Sequence, residues 1–373
     1  MKKNRNQAIR LALGISFLFF SFSATAQLDY VKSIKKIDIH THISSDDPSL
    51  RKVLDELNVK MCTICTKGTD LKRMNFQRET AEEITKQYPR YYAWMTTFDL
   101  TKRNDPDWVE NVKKQLKQDF ENGAVGVKIW KDIGMTIKDA DGEYIQVDDP
   151  MFDPIFEFIA QQDKPILAHI GEPIQAWMPP RPGTYWDTHP DYSFWDKPDR
   201  PSYSDILAAR DHVLQKHPNL RFVGAHLGSL EFDVEELAKR LDRYPNFAIE
   251  LGGRARYFMW QSRERVRRFF IKYQDRIMFG TDRGGGLIKK NGEKRTEAEV
   301  QENIDGLLKR YDIFMRYFAT DEEIPWGDQI SSDEPVGDAK YMVKGLALPR
   351  EVLDKFFYEN AVKWFPGVER DFE

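Results

Sequence analysis

From residue 37 onward, apolar runs of six to nine residues alternate with longer stretches whose apolar positions recur every three or four residues. A short β-branched run bounded by polar or Gly residues predicts a strand, and a three-to-four repeat predicts an amphipathic helix. Eight runs fit the first pattern: 37–42, 59–65, 92–98, 124–130, 165–171, 220–228, 247–252 and 277–282. Helices are predicted between them, starting near Asp47-Pro48 and Asp105-Pro106, where an Asp cap precedes Pro in the first turn. Trp108, Val112, Leu116 and Phe120 repeat along one face of the second of these. Further helices are expected at about 79–88, 150–162, 204–216, 230–243, 261–273, 296–318 and 349–364. Eight alternating strand and helix units imply parallel pairing and a closed (β/α)8 TIM barrel. An open doubly wound sheet is the alternative, weakened because no Gly-rich dinucleotide fingerprint follows the first run.

Two insertions interrupt the alternation, after strands five and eight. The first, about 172–219, is rich in Pro and carries Trp177, Tyr185, Trp186, Tyr192, Phe194, Trp195 and Tyr203. It reads equally as a stiff surface lid packed on itself or as an aromatic wall over a substrate. The second, about 284–345, opens with Gly284-Gly285-Gly286, which lacks the spacing of a phosphate loop and reads as flexible chain.

The first 26 residues stand apart from this pattern. Lys2, Lys3, Arg5 and Arg10 precede an apolar stretch from Leu11 to Phe22 and a small-residue Ala24-Thr25-Ala26 site, the layout of a signal peptide. The apolar stretch is shorter than the roughly 20 residues that span a bilayer. Cleavage after Ala26 would leave 27–373 as one exported barrel domain, periplasmic or secreted, and move the net charge from −4 to −8. A mildly acidic chain gives no reason to expect a nucleic-acid partner, and none of it after cleavage suggests a membrane. A small-molecule substrate is expected, with homo-oligomerisation compatible. Cys62 and Cys65 lie within an apolar run, where they read as buried thiols, with a disulfide or redox pair as the alternative.

His40 and His42 lie two apart at the end of the first run, so an extended strand turns both imidazoles to one face. Alone, this pair is as well explained by ordinary hydrogen bonding as by metal ligation. His169, His226 and Asp282 each close a similar run, and Lys128 ends the fourth. On the barrel reading all of them fall at the carboxyl ends of strands, where barrel enzymes keep their active sites. His189, His212 and His217 read as surface residues. Trp130, Arg254, Arg256 and Arg283 lie near the same rim and are candidates for binding a carboxylated or ring-bearing substrate.

The chain resembles the metal-dependent amidohydrolase superfamily, and within it the amidohydrolase-2 group, which contains hydrolases and decarboxylases similar to aminocarboxymuconate semialdehyde decarboxylase. The resemblance rests on Asp38-Ile39-His40-Thr41-His42, Ala168-His169-Ile170-Gly171-Glu172-Pro173, Gly224-Ala225-His226-Leu227-Gly228 and Phe279-Gly280-Thr281-Asp282. It implies one divalent metal, zinc by the chemistry of the ligands, held by His40, His42, His169 and Asp282. Asp282 would also take a proton from an attacking water, and His226 would polarise the substrate. Lys128 would be a cation in the pocket or, if carboxylated, a bridge to a second metal shared with His169 and His226. The implied activity is hydrolysis of a C–N or C–O bond in an amide, ester or lactone. A metal-dependent decarboxylase is the alternative, and a non-catalytic ligand-binding barrel the third reading.

Overall fold

All eight expected runs become parallel strands: β1 (Lys36–Ile43), β2 (Val59–Ile64), β3 (Tyr92–Met95), β4 (Val127–Ile129), β5 (Ile166–Ala168), β6 (Phe222–Gly224), β7 (Phe247–Glu250) and β8 (Ile277–Met278). The computed structural model describes residues 25–182, 185–289, 292–325 and 342–372, so the expected export signal lies almost entirely outside the described residues. Strand pairing makes two arcs, β3-β2-β1 and β4-β5-β6-β7-β8. Backbone hydrogen bonds close both seams between them. Lys128 N–H donates to Thr96 O at 2.6 Å, Ile39 N–H to Phe279 O at 3.1 Å, and Asp282 N–H to His40 O at 2.8 Å. The sheet is therefore a barrel, and the open-sheet alternative falls.

Each strand is followed by a helix: α1 (Pro48–Leu57), α2 (Leu71–Gln87), α3 (Trp108–Glu121), α4 (Asp153–Gln161), α5 (Tyr203–Lys216), α6 (Val234–Arg243), α7 (Arg263–Lys272) and α8 (Glu297–Ala319). Asp47 caps α1 as expected, its carboxylate accepting Ser49 N–H at 2.9 Å. The second helix begins at Leu71 instead of near 79, because Asp70 caps it through Arg73 N–H at 3.1 Å. Among the described residues no helix is long and apolar enough to cross a membrane.

The interior has a floor and an open top. Inward residues such as Ile37, Cys62, Met95 and Leu167 cluster with Ala361, Trp364, Phe365 and Phe372, so the C-terminal segment fills one end of the barrel. The other end carries the polar side chains. Both cysteines are free and buried, Cys62 inside the barrel and Cys65 outside it against Trp94 and Ala124.

Strict alternation along β1 would put Ile37 and Ile39 on the face opposite His40 and His42. The structure resolves this conflict with a bulge: Asp38 pairs with Met61 and Thr41 with Thr63, three steps on β1 against two on β2. The extra residue lets Ile39 belong to the inner cluster while His40 still enters the site. Asp38 is left facing out, where it accepts hydrogen bonds from Thr281 Oγ1 at 2.6 Å and from Tyr311 Oη on α8 at 2.8 Å.

Three expectations are corrected. The glycine run after Asp282 is no free loop, since Arg283–Gly285 forms β9 and pairs with Thr41, His42 and Ile43 of β1. His217 is buried, its Nε2 donating to Asp153 Oδ1 at 2.9 Å, because it ends α5 against α4. Strands five to eight are shorter than the apolar runs, because the chain bends away from the ladder at their carboxyl ends and so projects side chains over the barrel mouth.

Candidate active site

The barrel mouth is organised around Glu250, the last residue of β7, which is fully buried. Its Oε1 accepts Nδ1–H of His40 and the backbone N–H of His226, both at 2.8 Å, and its Oε2 accepts Gly252 N–H at 2.5 Å. Two glycines make room for it. A Cβ at Gly252 would lie 2.8 Å from both His40 Nδ1 and Glu250 Oε2, and one at Gly280 would collide with Oε2 and approach His40 Cβ to 3.1 Å.

Asp282 collects the imidazoles of β1. Its Oδ1 lies 3.0 Å from His42 Nε2 and 3.3 Å from His40 Nε2. Burial alone would raise its pKa, but His40, His42 and His226 outweigh this and hold the carboxyl well below its ordinary value. The backbone at Asp282 is left-handed, φ +57°, as it is at His226 and Leu227 on the short turn Ala225–Ser229. Such non-glycine conformations cost of order 1–3 kcal/mol each and concentrate where a side chain must be aimed.

The acceptors around the remaining two rings assign their tautomers. Gly252 O accepts Nδ1–H of His226 at 2.5 Å, so in the neutral ring Nε2 bears the lone pair. That lone pair accepts Nδ1–H of His169 at 3.1 Å. Burial pushes His169 down to about 3 and His226 well below 6.5, so both rings stay neutral near pH 7. His226 therefore buttresses His169; the expected polarising role would need a hydrogen on a nitrogen that here accepts one.

A divalent ion fits this arrangement. Nε2 of His40 and Nε2 of His169 are both buried without a hydrogen-bond partner, and the tautomers leave each with an outward lone pair. His40, His226 and Asp282 offer ligand atoms within 4.8 Å of one another. Proximity thus favours His226 as the third member, whereas lone-pair availability favours His169. His42 joins the group through its contact with Asp282 Oδ1.

Lys128 lies in the middle of β4, fully buried, its Nζ without a hydrogen-bond partner. Burial lowers its pKa to about 8, with Glu250 and Asp282 pulling the other way.

The cavity above these residues has a volume of 410 Å³. Trp130, Tyr185, Trp186 and Tyr192 line it together with Arg256, Arg283 and Arg310, and Arg283 and Arg310 lie within charge range of Asp282. The aromatic insert is thus both of its expected readings: Tyr185, Trp186 and Tyr192 face the cavity, whereas Trp177 packs on Phe194 and Tyr203 behind them. Arg254 is already committed, donating to Glu172 Oε2 at 2.9 Å and Glu231 Oε1 at 3.1 Å. Glu172 also receives Lys131 Nζ, whose ammonium sits 3.6 Å from the Tyr192 ring centroid.

The Amidohydro_2 (amidohydrolase) family matches residues 37–367, nearly the whole barrel. This chain belongs to the amidohydrolase family. In fold, this amidohydrolase is similar to the crystal structure of 2,6-dihydroxybenzoate decarboxylase from Rhizobium, at TM-score 0.50 and 16% identity over 89% of this chain and 98% of that one. A structure of 2,6-dihydroxybenzoate decarboxylase complexed with 2,6-dihydroxybenzoate matches at TM-score 0.51 and 15% identity over the same 89% and 98%. At such identities the likeness is one of architecture. No curated protein matches the chain.

Four residues of this amidohydrolase site escaped the sequence reading. Glu250 and Glu172 end or follow strands and so carried the same positional signal as the histidines. Lys131 and Arg310 carried none: Lys131 follows Trp130 in a turn, and Arg310 lies on an insert helix whose docking no local pattern reveals.

Proposed function

We propose that this amidohydrolase hydrolyses a C–N or C–O bond of a small, anionic, ring-bearing substrate, with one divalent ion held by His40, His42, His169 and Asp282. The observation that carries the reading is the buried, unpartnered Nε2 of His40, 3.3 Å from an ionised Asp282. When bound, the ion supplies Lewis-acid polarisation and lowers the pKa of adjacent water to about 7. Two imidazoles and a carboxylate with a third imidazole suit zinc. Asp282, kept ionised, accepts the proton of the attacking water at Oδ2 while Oδ1 stays with the histidines. His226 holds the His169 ring, and Glu250 holds His40. Trp130 and Trp186 supply apolar faces for a ring, and Arg283 faces the anionic group. Residues 1–26 are read as the export signal of this enzyme.

A second reading, decarboxylation, is favoured by the guanidinium groups beside Asp282, which suit a substrate bearing a carboxylate at the reacting carbon. The test is product analysis in H₂¹⁸O with a panel of aryl amides, esters, lactones and hydroxybenzoates. ¹⁸O in a product acid, lost on chelation, supports hydrolysis. Release of CO₂ without ¹⁸O incorporation overturns it in favour of the lyase.

A further inference from the structure

Four consecutive residues, His226 to Ser229, adopt the left-handed conformation, with φ between +57° and +60°. Three of them are not glycine, so their own sterics oppose the turn that aims His226. The turn therefore depends on contacts from other elements. The end of β7 supplies those already described, Glu250 on the His226 N–H and Gly252 O on the His226 ring. Helix α5 supplies the rest. Arg210, only 1% exposed, donates Nη1–H to Gly228 O, and Tyr203, two helical turns earlier, donates its hydroxyl to Ser229 O. Ser229 Oγ lies 2.7 Å from Ile170 O and 3.1 Å from Gly171 O, so its hydroxyl ties the turn to the chain that leaves His169. A guanidinium suits this post. Its Nε and Nη2 donate to Asp211 Oδ1 at 3.0 and 2.6 Å, leaving Nη1 for Gly228 O, a fork that an ammonium lacks. Gly228 lets it approach, since a Cβ there would lie 3.2 Å from Arg210 Nη1 and 3.0 Å from Phe247 Cζ. Loss of Arg210 would take the charged donor from a buried carbonyl on a backbone that is already strained.

We propose that Arg210 is a positioning residue for the site, holding the left-handed turn so that the His226 ring stays on Gly252 O with its Nε2 lone pair turned to His169. With His226 released, His169 Nδ1–H loses its acceptor, and the lone pair that His169 Nε2 offers is no longer fixed. The role of that lone pair in holding an ion rests on the proposed function; the hold on the turn does not.

The test is nitrogen NMR of metal-free protein labelled with ¹⁵N-histidine, which distinguishes a protonated ring nitrogen from a bare one, with the His226 signals assigned by their loss in His226→Gln. The natural protein should show His226 protonated at Nδ1 and bare at Nε2. In Arg210→Gln the two signals should move towards one another as the tautomers mix, and metal affinity, measured by chelator competition, should fall about 10-fold. Arg210→Lys should recover part of both. Arg240→Gln, whose lost side chain engages Asp211 and Glu236 instead of the turn, should leave the ring signals in place. Tyr203→Phe removes only the hydroxyl on Ser229 O; it should give a smaller change of the same kind, and it decides the matter should Arg210→Gln fail to fold. Unmoved His226 signals in folded Arg210→Gln, or in Tyr203→Phe where that variant stands in, would overturn the proposal, as would equal shifts in Arg240→Gln. Moved signals with unchanged metal affinity would uphold the hold on the turn and remove His169 from the proposed ligands, so the two failures are told apart.

Discussion

Glu250 Oε1 accepts the Nδ1 hydrogen of His40 at 2.8 Å, and neither side chain is exposed. One carboxylate at the end of β7 thereby decides which nitrogen of a β1 histidine points at Asp282. The same oxygen holds the His226 backbone, so a single buried group couples strands one, six and seven at the barrel mouth.

Replacing Glu250 by Gln keeps the volume but exchanges a charged double acceptor for an amide. Metal affinity should fall about 10- to 100-fold, the usual cost of losing the partner that orients a ligating imidazole. Competition titration with a chromophoric chelator measures this, with circular dichroism as the check on folding. Gly280→Ala should act in the same direction, since its Cβ would displace Oε2. An unchanged affinity in both variants would show that His40 needs no such support.

Lys128 should set a pH dependence of stability in the metal-free protein. Burial takes its folded pKa to about 8, below the unfolded value of about 10.4. Between these values the unfolded chain holds a proton that the native chain has released, so native stability rises with pH across that window. Below about pH 8 both states are charged and the whole cost of burying an unpartnered ammonium remains. Lys128→Met should therefore be more stable than the natural protein at pH 7, with the gain shrinking towards pH 10.5. Denaturant titrations at pH 7, 9 and 10.5 check this. A destabilised variant that also loses a metal ion per chain would instead point to a carboxylated, bridging Lys128.

Lys131 anchors the aromatic insert. Its ammonium lies over Tyr192 and pairs with Glu172, and all but a few per cent of both charged side chains is buried. Lys131→Met leaves Glu172 with Arg254 as its remaining strong partner, and should cost about 3 kcal/mol, the lower end for breaking a buried pair. The insert should also become more sensitive to protease, because its cation–π contact is gone. Limited proteolysis with fragment mapping decides the matter: protection equal to that of the natural protein, in a folded variant, would mean the insert is held by Trp177, Phe194 and Tyr203 alone.

The histidine and aspartate ends of the strands were legible because each motif is local: an apolar run, then one or two polar residues. The glycine run at 284–286 was misread because a strand made mostly of glycine lacks any side-chain signal; what makes it a strand is the exposed edge of β1 beside it. His217 was misread for a related reason. Its burial depends on Asp153, 64 residues away.

Periodicity, capping residues and the placement of His40, His42, His169, His226 and Asp282 at the ends of apolar runs, with Lys128 inside the fourth, determined the barrel and where its chemistry would lie, because these depend on neighbours within one or two turns of chain. The tertiary structure alone decided the bulge in β1, the tautomers, and the pairing of His40 with Glu250 across 210 residues. It also decided that Arg254 is spent inside the wall while Arg310 enters from an insert helix. The reason is physical: strand and helix formation follow from short-range sterics and hydrogen bonding, whereas charge pairing in a closed space depends on which side chains the folded chain leaves within a few ångströms of one another.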